Sequence, residues 1–219
     1  MKKRVLFLMI LFVVGVFTAY FISKPSTEKI LPVYNPIDVN EEMVDPELAR
    51  IGYGHTIGNF SFLDQNGNVF TQEQVKGKVY VVEYFFTTCG TICPKMNAQM
   101  QRIQQAYKGS NKVEILSFTV NPKTDTVEQL KRYALDHEAN DQQWHFLTGK
   151  QEKLYHLART SFFVLKPAEV ENQGDEGSDF IHTNNFVLVD QSGRIRGYYD
   201  GTSTKEVNHL IKDIQLLLN

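Results

Sequence analysis

The sequence predicts an α/β fold built on a mixed sheet. Strongly apolar runs of strand length, 79–86 and 113–120, alternate with polar, periodic runs of helix length, 95–107 and 126–138. Two pairs of short β-prone segments, 60–63 with 69–71 and 186–190 with 195–199, flank the turn signals Gln65-Asn66-Gly67-Asn68 and Gln191-Ser192-Gly193. Strand–helix–strand–helix followed by a hairpin and a last amphipathic segment, 204–218, implies helices packed on a sheet that is part parallel and part antiparallel.

The elements follow in order. Met1-Lys2-Lys3-Arg4 is a cationic start, and the next 18 residues, 5–22, carry no charge. As a helix this run would span about 27 Å, close to the hydrocarbon thickness of a bilayer. A cleaved signal peptide and a retained anchor compete here. No A-x-A cleavage signal follows the run and no cysteine there could carry a lipid, so residues 1–23 read as a signal anchor with the basic start inside. A buried core helix fits poorly, because the run is apolar all round and terminal. Residues 24–54, with Pro25, Pro32, Pro36 and Pro46, many charges and no periodicity, read as a linker. About 165 residues remain from His55, a single domain without internal repeats.

Within it, Asn66-Gly67 accepts positive φ and closes the first hairpin. The run 79–86 is a central strand. Asn121-Pro122 ends the strand 113–120. Thr126 or Asp125 caps the helix 126–138, with Leu130, Tyr133 and Ala134 on one face. A short strand at 144–147 and a helix at 151–160 come next. Residues 166–179 are polar and form an exposed excursion. The net charge is −2, which removes the electrostatic case for nucleic acid.

The chain has two cysteines, and both lie in Cys89-Gly90-Thr91-Ile92-Cys93-Pro94, at a strand-to-helix turn. A pair at i and i+4 shares a helical face, with Cα atoms about 6 Å apart, so it can form a disulfide or hold one soft metal ion. Pro94 suits the first helical position, which leaves Cys93 at or near the N-cap, where free N–H groups favour a thiolate. A purely structural disulfide gains little, because so short a loop removes little chain entropy.

Of six histidines, His137, His156 and His209 lie on expected helices beside polar neighbours, His55 is in the linker region, and His145 follows Trp144. His182 differs: it stands just before the strand 186–190 and so near one end of the sheet. Pattern does not tell whether that end also carries the cysteines.

The chain resembles the SCO/SenC family of membrane-anchored, thioredoxin-like copper proteins. The resemblance covers nearly all of 55–219. It rests on Tyr84-Phe85-Phe86-Thr87-Thr88-Cys89-Gly90-Thr91-Ile92-Cys93-Pro94, on Ser117 through Thr126 around Asn121-Pro122-Lys123-Thr124-Asp125-Thr126, on Trp144-His145-Phe146-Leu147-Thr148-Gly149, and on His182 ahead of an apolar strand ending at Asp190. It implies a thioredoxin-like fold with an N-terminal β-hairpin extension. It also implies that Cys89, Cys93 and His182 bind one copper ion. Two thiolates suit Cu(I), and an added imidazole makes the site acceptable to Cu(II). The implied task is delivery of copper to the dinuclear copper centre of cytochrome c oxidase, or reduction of that centre's cysteines. Partners would be the subunit carrying that centre and a copper donor or thiol reductant. The implied place is the bacterial cytoplasmic membrane, with the soluble domain outside. Gly90 and Thr91 depart from the Pro and Asp of many relatives, Asn121 replaces an acid, and Thr124 stands where Arg is common. Asp125 matches an acidic position of the family.

Other chemistries compete. An extracytoplasmic thiol–disulfide oxidoreductase would use Cys89 and Cys93 as redox thiols. General members of that class carry C-x-x-C and a proline before the strand facing the thiols, whereas this chain has one more residue between its cysteines and His182-Thr183-Asn184 at that place. A catalytic zinc site would need a general base that the pattern does not supply. A thiol peroxidase would need an Arg or Thr beside one reactive cysteine, which Thr87 or Thr88 supplies only in part.

Overall fold

The structure is a computed structural model that describes residues 2–22, 30–39, 44, 48, 52–164 and 184–219. The chain divides into two compact units, Met1–Ile30 and Leu31–Asn219. The first holds helix α1 (Lys2–Ile22), formed over the expected apolar run, with side chains such as Phe7, Phe12 and Phe17 exposed. Among the described residues, no helix is long and apolar enough to cross a membrane. The anchor expected over 1–23 is therefore not supported by the described residues.

In the second unit a small antiparallel hairpin, β1 (Ser61–Leu63) and β2 (Val69–Thr71), precedes the main sheet. Its turn forms where Asn66-Gly67 places it: Gly67 adopts φ +77°, and the Asp64 carboxylate accepts from the backbone N–H groups of Asn66 and Asn68, both at 2.8 Å. The main sheet contains β3 (Val79–Phe85), β4 (Val113–Thr119), β5 (Trp144–Leu147), β6 (Asn185–Val189) and β7 (Ile195–Asp200), in the order β5-β4-β3-β6-β7. The β3–β4 and β4–β5 pairs are parallel, and the β3–β6 and β6–β7 pairs antiparallel, giving the expected mixed sheet. Every residue of β3 and β4 is buried, which is why these strands read as continuous apolar runs rather than alternations.

Helices α2 (Cys93–Ala106), α3 (Val127–Asp136), α4 (Gln151–Leu157) and α5 (Thr204–Leu218) cover the sheet. Met96, Met100 and Ile103 of α2, Leu130 of α3 and Leu210 and Ile214 of α5 share one core with Val81, Phe85 and Trp144. On the other face, Leu154 of α4 joins Phe60, Phe62, Phe70, Tyr84 and Phe118. The caps of α3 and α5 are Thr126 and Ser203, whose hydroxyls accept from the N–H groups of Gln129 and Glu206, each at 3.3 Å.

Two segments differ from the sequence expectation. The helix expected over 151–160 is α-helical to Leu157 and then widens into a π turn, Ala158–Phe162, closed by Phe163 at φ +53°. The Ser161 carbonyl there is bonded to His55 Nε2 (2.8 Å), and the His55 ring packs on Phe163 with centroids 4.6 Å apart. Second, Leu31, Pro32, Tyr34 and Asn35, in the stretch read as linker, pack on the domain. Tyr34 donates its N–H to the Ile195 carbonyl (2.9 Å), Arg196 donates to the Pro32 carbonyl (2.8 Å), and Asn35 Oδ1 accepts from the N–H of Gly54 (3.0 Å). Such single bridges and carbonyl contacts impose no periodicity, so the sequence pattern does not reveal them. The polar stretch 166–179 lies outside the described residues.

Candidate metal and thiol site

The site is built at the C-terminal end of β3. The chain leaves the strand at Phe85, turns through Phe86–Ile92 and enters α2 at Cys93. Ile92 is the N-cap residue, Cys93 the first helical residue and Pro94 the second, where the missing N–H costs nothing. Both cysteines are free; Cys89 is partly exposed and Cys93 is buried. The Cys89 N–H donates to the Phe86 carbonyl (3.2 Å), closing a turn around Thr87 and Thr88. The Cys93 N–H, one of the donors left open at the helix start, points to Cys89 Sγ at 3.5 Å. The Thr91 hydroxyl lies 3.7 Å from the same sulfur.

The two thiols are therefore unequal. Burial works against a Cys89 thiolate, but hydrogen bonds from the Cys93 side chain and backbone and from Thr91 outweigh it and bring the thiol down to about 7. Burial pushes the Cys93 thiol up, reinforced by its hydrogen bond to Cys89 and by the nearby Glu83 carboxylate. This corrects the expectation that the helix start favours a Cys93 thiolate: the free N–H serves the sulfur of Cys89, four residues earlier.

Beneath the site lies Glu83, fully buried in β3. Its Oε1 accepts from Ser117 Oγ (2.6 Å), which in turn accepts from Trp144 Nε1 (2.8 Å), while Oε2 has no hydrogen-bond partner among the described residues. Burial raises this carboxyl to about 7 against the opposing Ser117 hydrogen bond. Sequence reasoning missed Glu83, although the one acid within the strand run Val79–Phe85 was its signal. Asp125, also fully buried, is not the cap of α3; its carboxylate accepts hydrogen bonds from Thr87 and Thr119.

His182 lies outside the described residues. The chain from Asn184 onward is placed. β6 runs antiparallel to β3, with Val82 opposite Val187 and Tyr80 opposite Val189. The start of β6 therefore lies at the end of the sheet where β3 runs into the cysteine loop. Asn184 is fixed there: its Nδ2 donates to Asp200 Oδ1 and its carbonyl accepts from the Gly201 N–H, both at 2.7 Å. The other histidines are engaged elsewhere. His55 bonds to Ser161, His145 Nε2 lies 3.1 Å from Glu114 Oε2, and His137 is bonded to Asn97 (3.3 Å) and the Tyr133 carbonyl (2.8 Å). His209 faces Glu206 at 3.9 Å and His156 lines a groove beside β1. Among the described residues, no group of three or more His, Cys, Asp or Glu side chains is gathered to hold a metal ion. The described part of the site is thus a two-thiol pair, chemically suited to a soft cation or to a disulfide.

The family model described as SCO1/SenC matches residues 49–219. The chain is 34% identical over 158 residues to the SCO1 protein homolog of Bacillus subtilis, an alignment covering 71% of this chain and 79% of that one. A protein of Stutzerimonas stutzeri named for copper binding is 31% identical over 65% of this chain and 68% of its own length. Among solved structures, BsSco, described through a disulfide switch and as a member of the Sco family of cytochrome c oxidase assembly proteins, superposes with a TM-score of 0.62. It is 33% identical, with 74% of this chain and 93% of that one covered. The thioredoxin-like mixed α/β fold is the same.

Proposed function

Because this chain belongs to the SCO1/SenC family, we propose that it is a copper-binding assembly factor for a respiratory cytochrome c oxidase. It would deliver copper to the oxidase's dinuclear copper centre or reduce the cysteines of that centre. The observation that carries this reading is the pairing of the only two thiols of the chain at one sheet end, with the Cys93 N–H on the Cys89 sulfur. Cys89 and Cys93 would hold the ion, and His182 would complete the set from the segment that leads into β6. The direction of β6 supports that third ligand. Two thiolates and one imidazole accept both Cu(I) and Cu(II), and three protein ligands leave room for a recipient's donor. Copper is here cargo, taken from a donor and passed on. The uncharged run 5–22 behind Lys2-Lys3-Arg4 supports a single-pass anchor in a bacterial cytoplasmic membrane, with the thiol domain on the outer side.

A second reading, an extracytoplasmic thiol–disulfide oxidoreductase, is favoured by the inequality of the thiols. Cys89, accessible and brought down to about 7, would attack an oxidised partner's disulfide, and buried Cys93 would resolve the mixed disulfide. Two thiols then become one disulfide as the partner gains two electrons and two protons.

Titration of the reduced full chain with Cu(II), followed by absorption, tests the metal reading. It predicts one equivalent bound with a sulfur-to-copper charge-transfer band, lost in Cys89→Ser and Cys93→Ser. His182→Ala should weaken the affinity and change the spectrum. An unchanged affinity and spectrum in His182→Ala would remove the third ligand.

A further inference from the structure

We infer that Asp125 is a positioning residue for the two-thiol site: its buried carboxylate fixes Thr87, and through Thr87 the turn that carries Cys89. The inference rests on the two thiols acting as one site, as proposed above, but not on the identity of the cargo.

The geometry is specific. Thr87 donates its N–H to both carboxylate oxygens of Asp125, at 3.2 and 3.3 Å, and its hydroxyl to Oδ1. Gln129 Nε2, in the first turn of α3, donates to the Thr87 hydroxyl at 3.3 Å. The Thr119 hydroxyl, at the end of β4, donates to Asp125 Oδ2. The aspartate is itself held, since its N–H donates to the Asn121 carbonyl at 2.8 Å. Thr87 lies inside the turn closed by the Cys89 N–H on the Phe86 carbonyl. Holding Thr87 at both its backbone and its side chain therefore fixes that turn against β4 and α3.

A merely local duty is already filled. The cap of α3 is the neighbouring Thr126, whose hydroxyl accepts from the Gln129 N–H. The Asp125 side chain turns instead to a segment 38 residues earlier in the chain. Burying a carboxylate is costly, and the donors from Thr87 and Thr119 offset that cost only while the turn keeps its place. Once the turn is fixed, Cys89 Sγ sits under the Cys93 N–H, the contact that keeps the two sulfurs together for joint use as ligands or as a Cys89–Cys93 disulfide.

The test uses the reduced, metal-free full chain, so that it remains informative if copper is not the cargo. Asp125→Asn and Thr87→Val break the clamp, and Thr87→Ser keeps both of its donors. Two properties are read: the rate of Cys89 alkylation by iodoacetamide at neutral pH, and the dithiol–disulfide equilibrium against glutathione. Asp125→Asn and Thr87→Val should each lower both by about fivefold, the worth of one hydrogen bond, with Thr87→Ser within about twofold of the parent. Thermal melting reports stability separately, and if Asp125→Asn does not fold, the Thr87→Val and Thr87→Ser pair decides. Lower melting temperatures with both thiol properties unchanged would overturn the inference, as would Thr87→Ser behaving like Thr87→Val.

Discussion

Each end of the main sheet is organised by a buried aspartate, and the two are satisfied in different ways. At the β6–β7 turn, Asp190 accepts from the N–H groups of Ser192 (2.9 Å) and Arg194 (3.0 Å) and from the guanidinium groups of Arg194 and Arg196. Arg196 reaches on to the Pro32 carbonyl and ties the start of the domain to β7. At the opposite end, the side-chain hydrogen bonds of Asp125 come from neutral groups, the backbone and hydroxyl of Thr87 and the hydroxyl of Thr119. The scaffold end is bound by charge within a few residues of chain. The working end is bound by neutral donors drawn from two separate segments, the cysteine loop and the end of β4. A carboxylate paired with arginines resists disruption, whereas one held by hydroxyls and a turn N–H is only as firm as the turn it holds. Chemistry is mounted at the second kind of end.

This contrast is open to direct attack, beginning with the largest effect. Asp190→Ala should cost about 3 kcal/mol in urea unfolding, because it removes the carboxylate paired with the half-buried Arg196 and leaves the Ser192 and Arg194 N–H groups without their acceptor, while Cys89 alkylation keeps the parent rate. The sign with pH follows from the cause. Burial opposes ionisation of Asp190, but its hydrogen bonds to Arg194, Arg196 and Ser192 outweigh it and hold its pKa below the ordinary 3.8. Its stabilisation is therefore present above that value and lost as the pH falls through the folded one. Altered thiol reactivity in Asp190→Ala would blur the division between the two ends.

Glu83 stands between these cases, with one hydroxyl donor on Oε1 and, among the described residues, no hydrogen-bond partner on Oε2. Burial raises it from 4.5 to about 7, so the folded state holds its proton more tightly than the unfolded state does. Stability from this group is full below pH 4.5 and falls as pH rises through about 7. Unfolding measured between pH 4 and 8 should show the parent losing about 2–3 kcal/mol relative to Glu83→Gln across that range. Parallel profiles would mean that Glu83 is ionised in the fold at little cost.

The smallest effect sharpens the division most finely. Thr126→Ala removes the cap of α3 beside Asp125 and should cost about 1 kcal/mol. Cys89 alkylation should not change, because Thr126 is not among the groups that hold Thr87. A slowed Cys89 would show that capping α3 and clamping the cysteine loop are one device.

What the sequence revealed divides along the same line. Asn66-Gly67 and Ser192-Gly193 announced the two hairpins because a turn's partners lie within a few residues, and Gly67 and Gly193 take the positive φ their turns require. The runs that became β3 and β4 were plain because burial on both faces leaves no polar alternation. Cys89 and Cys93 were legible because their spacing is local. Asp125 looked like a helix cap, since its true partner is 38 residues away and nothing in the local pattern points there. Glu83 was passed over inside an apolar strand, because its Ser117 partner comes from the neighbouring strand β4. The helix start at Cys93 rather than Lys95 matters for the same reason, since it decides which sulfur receives the free N–H. The direction of β6, which brings Asn184 and Asn185 to the cysteine end, emerges only from strand pairing.

The most direct measurement is an anaerobic Cu(I) titration of the reduced full chain, with thiol alkylation read at each point. The account predicts that one equivalent binds tightly, protects Cys89 and Cys93 together, and is not taken up by Cys89→Ser or Cys93→Ser. Weak or superstoichiometric uptake that leaves Cys89 open to alkylation, in a protein whose thiols still cycle to a disulfide, would contradict it and leave the oxidoreductase.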